Sequence, residues 1–223
     1  MGQHTIKVKS IDHLTHDVLR VKTEKPSGFI FTPGQATSVA INREGWEKKK
    51  RPFTFTNLPD QDHLEFTIKT YPSHEGVTNE LLKLKVGDQL LIGDAWGTIN
   101  YKGDGIFIAG GAGVTPFISI FRYLQSKKEI GNNKLVFANK TSADIIHKEE
   151  FKEMLRDNFI NILSQEESKE FSHGLIDKDF LETCGVKNHK HIYLCGPRAM
   201  MSSIEEQLLN LNIKKEVIIK EEF

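Results

Sequence analysis

Cysteine is scarce in this chain: Cys184 and Cys195 are the two in 223 residues. Two thiolates cannot hold an iron–sulfur cluster in the usual four-ligand way, and in a chain expected to be cytosolic they are poor evidence for a disulfide. No apolar run reaches the length that crosses a bilayer. Residues 1–10 lack the apolar stretch of a secretory signal, so a soluble, cytoplasmic protein is expected. Net charge is also missing, because 30 basic residues balance 30 acidic ones. No global positive field points to nucleic acid or to an anionic membrane. Tryptophan and tyrosine number 2 and 4 against 14 phenylalanines, so most rings are free to serve a core or to face a flat ligand.

The apolar content of 38% and the length fit one large or two small domains. Short runs of β-branched and apolar residues at 6–8, 18–21, 37–41 and 64–68 are separated by Pro, Gly, Asn and Asp turns. This punctuation predicts a small antiparallel β-barrel. The pattern changes at Tyr101-Lys102-Gly103-Asp104-Gly105, which predicts a boundary between domains spanning 1–102 and 103–223. Beyond it, strand candidates at 106–109, 135–138, 160–163, 192–194 and 217–219 alternate with helical faces. Phe117, Ile120, Phe121 and Leu124 form one such face; Phe151, Met154 and Leu155 form a second; Met201, Ile204, Leu208 and Leu211 form a third. The alternation predicts a doubly wound parallel α/β sheet.

In the second half, the strand at 106–109 runs into Gly110-Gly111-Ala112-Gly113, and Thr115-Pro116 then opens a helix. Proline suits that position because its missing N–H is not needed there. Glycines allow backbone N–H groups to approach a ligand, and the helix N-terminus favours negative charge. The string therefore reads as a phosphate cradle or, because its spacing departs from G-x-G-x-x-G, as a bare strand-to-helix turn. Cys195-Gly196-Pro197 repeats the arrangement, with Pro197 expected to begin a helix. Two strand ends would then meet at one crevice. Cys195 at its rim and Met200 beyond it also fit ordinary core positions.

In the first half, Arg51-Pro52-Phe53-Thr54 follows Lys48-Lys49-Lys50. An Arg there can pair with a pyrophosphate, an aromatic ring two places on can lie against a flat ring, and the adjacent hydroxyl can bond that ring's edge. The alternative is a strand with a charged start. Ile68-Lys69-Thr70-Tyr71 leads through a loop to Gly76-Val77-Thr78-Asn79, a second strand, loop and short helix able to receive phosphate. His189-x-His191 would share one strand face. With no acidic or Cys cluster nearby, it reads as a solvent-facing pair, and no metal site is expected.

Taken in this order, the strings resemble the ferredoxin–NADP reductase superfamily over residues 6–223. Arg51-Pro52-Phe53-Thr54 is similar to its Arg-x-Tyr-Ser/Thr motif, with Phe53 for the usual Tyr. Phe31-Thr32-Pro33-Gly34-Gln35 is similar to its Pro-Gly-Gln turn, and Gly76-Val77-Thr78 to its second FAD phosphate segment. Gly111-Ala112-Gly113-Val114-Thr115-Pro116 and Cys195-Gly196-Pro197 with Met200 are similar to its nucleotide motifs. The resemblance implies an FAD barrel followed by an NAD(P) domain, with hydride passing from NAD(P)H to the flavin N5. It implies that Arg51 holds the pyrophosphate, Phe53 stacks on the isoalloxazine, and Thr54 bonds near N5. Pro52, the Ile68-Lys69-Thr70 segment and Gly76-Val77-Thr78 complete the FAD set. Thr115 would sit between the two ligands, and Cys195 beside the nicotinamide. Phe223 would cover the flavin face, unless it is a frayed terminus.

The implied acceptor is a separate ferredoxin or flavodoxin, toward which Lys48, Lys49 and Lys50 would steer it, or else those lysines form a solvated loop. Other readings are a reductase of free flavin or ferric complexes and a non-catalytic, flavin-binding redox sensor. Ser164-Gln165-Glu166-Glu167 stands where NADPH users carry a Ser-Arg pair, which favours NADH.

Overall fold

The structure is a computed structural model that describes residues 2–71, 73, 75–97 and 99–221. The first six strands are β1 (His4–Thr15), β2 (Val18–Glu24), β3 (Ala36–Ile41), β4 (Arg51–Thr54), β5 (His63–Lys69) and β6 (Gln89–Ile92). They pair antiparallel in the order β4-β3-β6-β1-β2-β5. Just past β4 the chain crosses to the other edge, where Phe55 bridges Phe66 and the Thr56 amide donates to the Glu65 carbonyl at 2.9 Å. This joins the edges into a barrel. Phe55 fills its centre, 4.4 Å from the Phe31 ring and 5.4 Å from that of Phe66.

Two differences from the expected strands have local causes. The apolar pattern of β1 breaks after residue 8, yet the strand continues through register shifts at Val8/Ser10 and His13/Thr15. Bulges of this kind absorb residues that do not fit the alternation. The sequence pattern gave no expectation for β6, whose Leu90-Leu91-Ile92 run is buried on both faces and so does not alternate.

The second sheet comprises β7 (Gly105–Gly110), β8 (Lys134–Asn139), β9 (Phe159–Leu163), β10 (Ser172–His173), β11 (His191–Cys195) and β12 (Ile218–Lys220). All pairs are parallel, in the order β10-β9-β8-β7-β11-β12. The single-turn α1 (Val77–Glu80) belongs to the barrel, whereas α2 (Thr115–Lys127), α3 (Lys148–Leu155), α4 (Lys178–Thr183) and α5 (Arg198–Asn210) cover this sheet. Phe117, Ile120, Phe121 and Leu124 of α2 pack with α3 on one face. Leu181 of α4 and Met201, Ile204 and Leu208 of α5 form the core on the other. The sheet is therefore doubly wound. The strand order reverses between β7 and β11, and ligands bind at such a switch point. The six-residue α4 and two-residue β10 are too short to impose a hydrophobic period. Among the described residues, no helix is long and apolar enough to cross a membrane.

The domains meet along α2. Ser119 accepts the Gly34 amide at 2.9 Å, and Val18 from the barrel joins the core beneath α2. On β5, Leu64, Phe66 and Ile68 face the barrel core, and the intervening Glu65 and Thr67 are buried as well. Arg122 of α2 covers Glu65 on this outer face. Its Nη1 donates to Glu65 Oε1 (2.6 Å) and to the Thr56 carbonyl (2.8 Å). Nε and Nη2 grip Glu150 of α3 at 2.5 and 2.8 Å.

Burial opposes the charge on Glu150, but Arg122 and His147 outweigh it and hold the carboxyl at about 2, against an ordinary 4.5. A lowered folded-state pKa contributes stability that is complete above about pH 4.5 and lost as pH falls toward about 2. Thermal midpoints measured at about pH 5 and about pH 3 should fall further in the wild type than in Glu150→Gln. Equal falls would show that Glu150 carries no such linkage.

Candidate functional site

The site is built where the strand order reverses. Ala109 of β7 lies opposite Cys195 of β11. Beyond Gly110 the chain makes a short turn, Gly111–Val114, and enters α2 with Pro116 in its first turn. Beyond Cys195, Gly196 leads to Pro197, which caps α5 from just outside the helix rather than beginning it. The two turns lie directly on each other. A Cβ on Gly113 would overlap the Cys195 carbonyl, so close approach of backbone to backbone requires glycine there before any ligand is considered. Gly111 is different: its φ is +50° and nothing lies within 4 Å of where a Cβ would point. Its backbone is open.

In front of these turns lies a cleft of about 1250 Å³ between the barrel and the second sheet. That exceeds the roughly 300–1,000 Å³ of a site for one small ligand. Arg51, Pro52, Phe53 and Thr54 line it from β4, an edge strand where the missing N–H of Pro52 is tolerated. Lys69, Gly76, Val77 and Thr78 line it from the rest of the barrel. Gly111, Ala112, Gly113, Thr115, Pro116, Cys195, Gly196, Pro197 and Met200 line the opposite wall.

Three expected side chains do not line the cleft. Ile68 points into the barrel core, Val114 is buried under α2, and the Thr70 hydroxyl donates to the Asp17 carbonyl at 2.9 Å. Strand alternation is the reason for Ile68, since its neighbour Lys69 takes the cleft face. Phe223 lies outside the described residues.

The walls touch at Thr54 and Thr115, whose hydroxyl oxygens are 3.4 Å apart. Thr115 has a shorter bond to the Ala112 carbonyl, 3.0 Å. This takes its single proton and leaves the Thr54 hydroxyl hydrogen to turn to Thr115 or into the cleft. Lys69 is already paired: its Nζ is 2.7 Å from Asp17 Oδ2 and 3.8 Å from Asp144 Oδ1. His16, Asp17 and Asp144 bring ligand-type atoms within 4.8 Å of one another, and the Lys69 ammonium already pairs with both carboxylates. The histidine pair also differs from expectation, because His189 precedes β11 and only His191 lies in the strand.

Burial pushes the Cys195 thiol up to about 12, with the nearby Glu221 carboxylate adding to the shift. Cys195 is therefore a neutral thiol rather than a nucleophile. Glu221 itself is raised by burial, and its Oε1 has no partner among the described residues. Asn139 Nδ2, at the end of β8, is likewise buried and unpartnered. Both residues line the cleft, and buried polar atoms without partners mark places where a ligand can supply them. Neither was expected from sequence. The end of β8 was open to prediction, because cleft residues cluster at the carboxyl ends of strands. Glu221 was not read as a cleft residue, since its approach depends on how the last strand returns to the barrel. Leu175, an exposed apolar residue on the cleft wall, had none either.

The donor set fits two ligands. One is an aromatic ring system carrying a pyrophosphate, with Arg51, the Gly76–Thr78 backbone, Phe53 and Thr54 available to it. The other is a nucleotide lying on the two glycine turns. A barrel and a doubly wound sheet sharing such a cleft define a flavin- and nucleotide-binding protein of two domains.

Comparison with known proteins agrees. Residues 3–95 match the FAD-binding domain family and residues 107–206 the oxidoreductase NAD-binding domain family. The two matches together take up most of the chain, which thus joins an FAD-binding domain to an oxidoreductase NAD-binding domain. The reductase component of propane 2-monooxygenase from Mycolicibacterium goodii is 30% identical over 220 residues, covering 88% of this chain and 61% of that protein. The ferredoxin–NAD(P)(+) reductase component of the naphthalene 1,2-dioxygenase system of Pseudomonas putida is 23% identical over 229 residues, covering 97% of this chain and 67% of that one. The chain thus spans about three fifths of the length of the propane monooxygenase relative. In fold, it matches the FAD/NAD-binding domain of nitric oxide dioxygenase from Vibrio cholerae with a TM-score of 0.86, 19% identity and 98% of both chains covered. It also matches a ferredoxin NADP+ reductase from Neisseria gonorrhoeae with a TM-score of 0.82, 16% identity and 98% and 97% covered.

Proposed function

We propose that the chain is an FAD-dependent reductase that draws electrons from a reduced nicotinamide nucleotide and delivers them to a separate acceptor. The observation that carries this reading is the shared cleft, in which Thr54 of the flavin-side strand meets Thr115 of the nucleotide-side helix at 3.4 Å. A bound flavin supplies the conversion of a two-electron donor's equivalents into single electrons, chemistry that no side chain provides. The chain's residues bind and place. Arg51 would pair with pyrophosphate, Phe53 would cover a ring face, and Thr54 would offer a hydroxyl to the ring edge. The glycine turns and Met200 would hold the nucleotide, and the neutral Cys195 would set its depth. Glu221, raised by burial, can hold or release a proton at Oε1. After loading with FAD, the protein should reduce ferricyanide at the expense of NADH. Tight flavin binding without turnover would instead favour a redox-sensing module.

The nucleotide we propose is NADH. Glu166 Oε2 accepts from the Ser142 amide (2.8 Å) and hydroxyl (3.0 Å), which holds a carboxylate beside the ends of β8 and β9. A fixed negative charge there suits ribose hydroxyls and repels a 2′-phosphate. The kcat/KM for NADH should exceed that for NADPH by about tenfold or more, and Glu166→Arg should narrow the gap. A wild-type preference for NADPH would overturn this assignment.

We further propose an acidic carrier, ferredoxin or flavodoxin, as acceptor. Lys48, Lys49 and Lys50 are exposed beside Arg51 at the cleft, with Lys49 held 4.0 Å over the Trp46 ring. The relatives' names, which describe reductase components of oxygenase systems, support a separate protein acceptor. Converting the three lysines to alanine should lower carrier turnover about fivefold at low salt while ferricyanide reduction is retained. An equal rate with the carrier would favour reduction of free flavin or ferric complexes.

A further inference from the structure

We propose that Arg122 is a positioning residue that sets the distance between the flavin-side strand and the nucleotide-side helix, an inference that rests on the reductase reading above. The two segments whose hydroxyls meet in the cleft meet again two helical turns farther along α2. Thr54 and Thr56 are two residues apart along the barrel chain. Thr115 and Arg122 are seven apart on α2, close to two turns, so they lie on the same helical face about 10 Å from each other. The first meeting is a single hydroxyl contact of 3.4 Å. The second is the Arg122 guanidinium, which donates to the Thr56 carbonyl at 2.8 Å and to Glu65 at 2.6 Å.

The far side of the guanidinium is fixed as well. Glu150 of α3 takes Nε and Nη2 together, a planar fork that defines an angle as well as a distance. Both carboxylates are braced in turn. The Thr56 hydroxyl donates to Glu65 Oε1 at 3.0 Å, and His147 Nδ1 lies 2.9 Å from Glu150 Oε2. Lys22 of β2, 3.8 Å from Glu65 Oε2, adds a further positive charge to this group. An apolar patch of the same size would hold the domains together as firmly, because buried ion networks give little net stability over apolar replacements. What the network adds is direction. Transfer between two bound rings depends steeply on their separation, and a misplacement of about 1 Å can cost about a hundredfold. The hydroxyl pair in the cleft is too weak to fix that separation, and Arg122 does so from behind.

The test uses the FAD-loaded protein carrying Arg122→Met, Arg122→Lys or, should the first fold poorly, Glu150→Gln. Arg20→Met serves as a control that breaks an exposed ion pair within the barrel. Spin labels on cysteines replacing the exposed Lys9 and Glu206 report the interdomain distance distribution. Stopped-flow mixing with NADH separates the limiting rate of flavin reduction from the NADH dissociation constant.

Arg122→Met should broaden the distance distribution and lower the limiting rate about tenfold or more, with the dissociation constant within about threefold of wild type. Glu150→Gln should shift both readouts in the same direction, Arg122→Lys should recover part of each, and Arg20→Met should change neither. A limiting rate and distance distribution that match wild type in folded Arg122→Met would overturn the proposal, as would a rate loss that only tracks lost FAD. If the wild type is not reduced by NADH or NADPH, the reductase reading itself fails. An altered distance distribution in the variants would then still establish the clamp.

Discussion

Replacing Cys195 with alanine is expected to lower the limiting rate of flavin reduction by about tenfold to a hundredfold while FAD stays bound. Cys195 sits at the end of β11 opposite Ala109, on the nucleotide wall of the cleft and away from the barrel elements expected to hold FAD. The residue is 7% exposed and its thiol is pushed up to about 12, so near neutral pH it neither attacks nor carries charge. What it contributes is volume and a polarizable surface at the point where a nicotinamide would settle. Alanine removes the sulfur and lets the ring sink or tilt. Serine keeps a small polar group and should cost less than alanine. The rate should show no rise with pH between about 6 and 8, because a thiol held so high stays protonated throughout. Thr54→Ala should give a loss of the same kind from the opposite wall. Rapid-mixing rates and bound-flavin content decide the matter. Normal rates in both alanine variants, or a rate that follows thiolate formation, would refute these placements.

Gly113→Val is expected to destabilise the nucleotide domain by about 1–3 kcal/mol and to abolish nucleotide binding. The new Cβ would meet the Cys195 carbonyl and the Gly196 Cα, all backbone, with no flexible side-chain end to move aside. Cys195 is also held in register by the β7–β11 ladder, so relief would require breaking the pairing at the strand ends that form the site. FAD binding, which draws on barrel residues, should survive. Urea unfolding and an NAD+ titration of the FAD-loaded variant test this. Wild-type stability with intact nucleotide binding would show that the two turns are not packed on each other as described.

The fold was legible where a single period reports a single environment. Phe117, Ile120, Phe121 and Leu124 mark the buried face of α2 because one side of that helix meets one core. Regular short strands with turn residues between them were enough for the barrel. Legibility failed where an element is buried twice. Glu65 and Thr67 occupy the positions that alternation assigns to solvent, but Arg122 from the other domain covers Glu65 and Thr67 lines the cleft between the domains. Alternation records only the core of a strand's own sheet, so a contact made after the domains dock leaves no trace in it. Arg122 is silent for the same reason, as one of two charged residues on α2 with nothing in its spacing to set it apart.

The glycines of the 110–113 turn were read as room for a ligand or as a bare strand-to-helix turn. The structure gives Gly113 a second and stricter reason, the opposing turn, and leaves Gly111 open to the cleft. Strand-end residues such as Asn139 become visible once the strand order is known, because that order decides which loops share a crevice. Thr54 and Thr115 were each expected at a ligand, and their approach across the cleft depends on how the domains dock, which no local pattern encodes.

The central claim is that this cleft brings a nicotinamide nucleotide to a flavin held by the barrel. Anaerobic rapid mixing of the FAD-loaded protein with NADH, and separately with NADPH, tests it most directly by following the flavin's visible absorbance. The account predicts complete bleaching in the presence of NADH, reached more efficiently than with NADPH. A flavin band left unchanged by both nucleotides would contradict it.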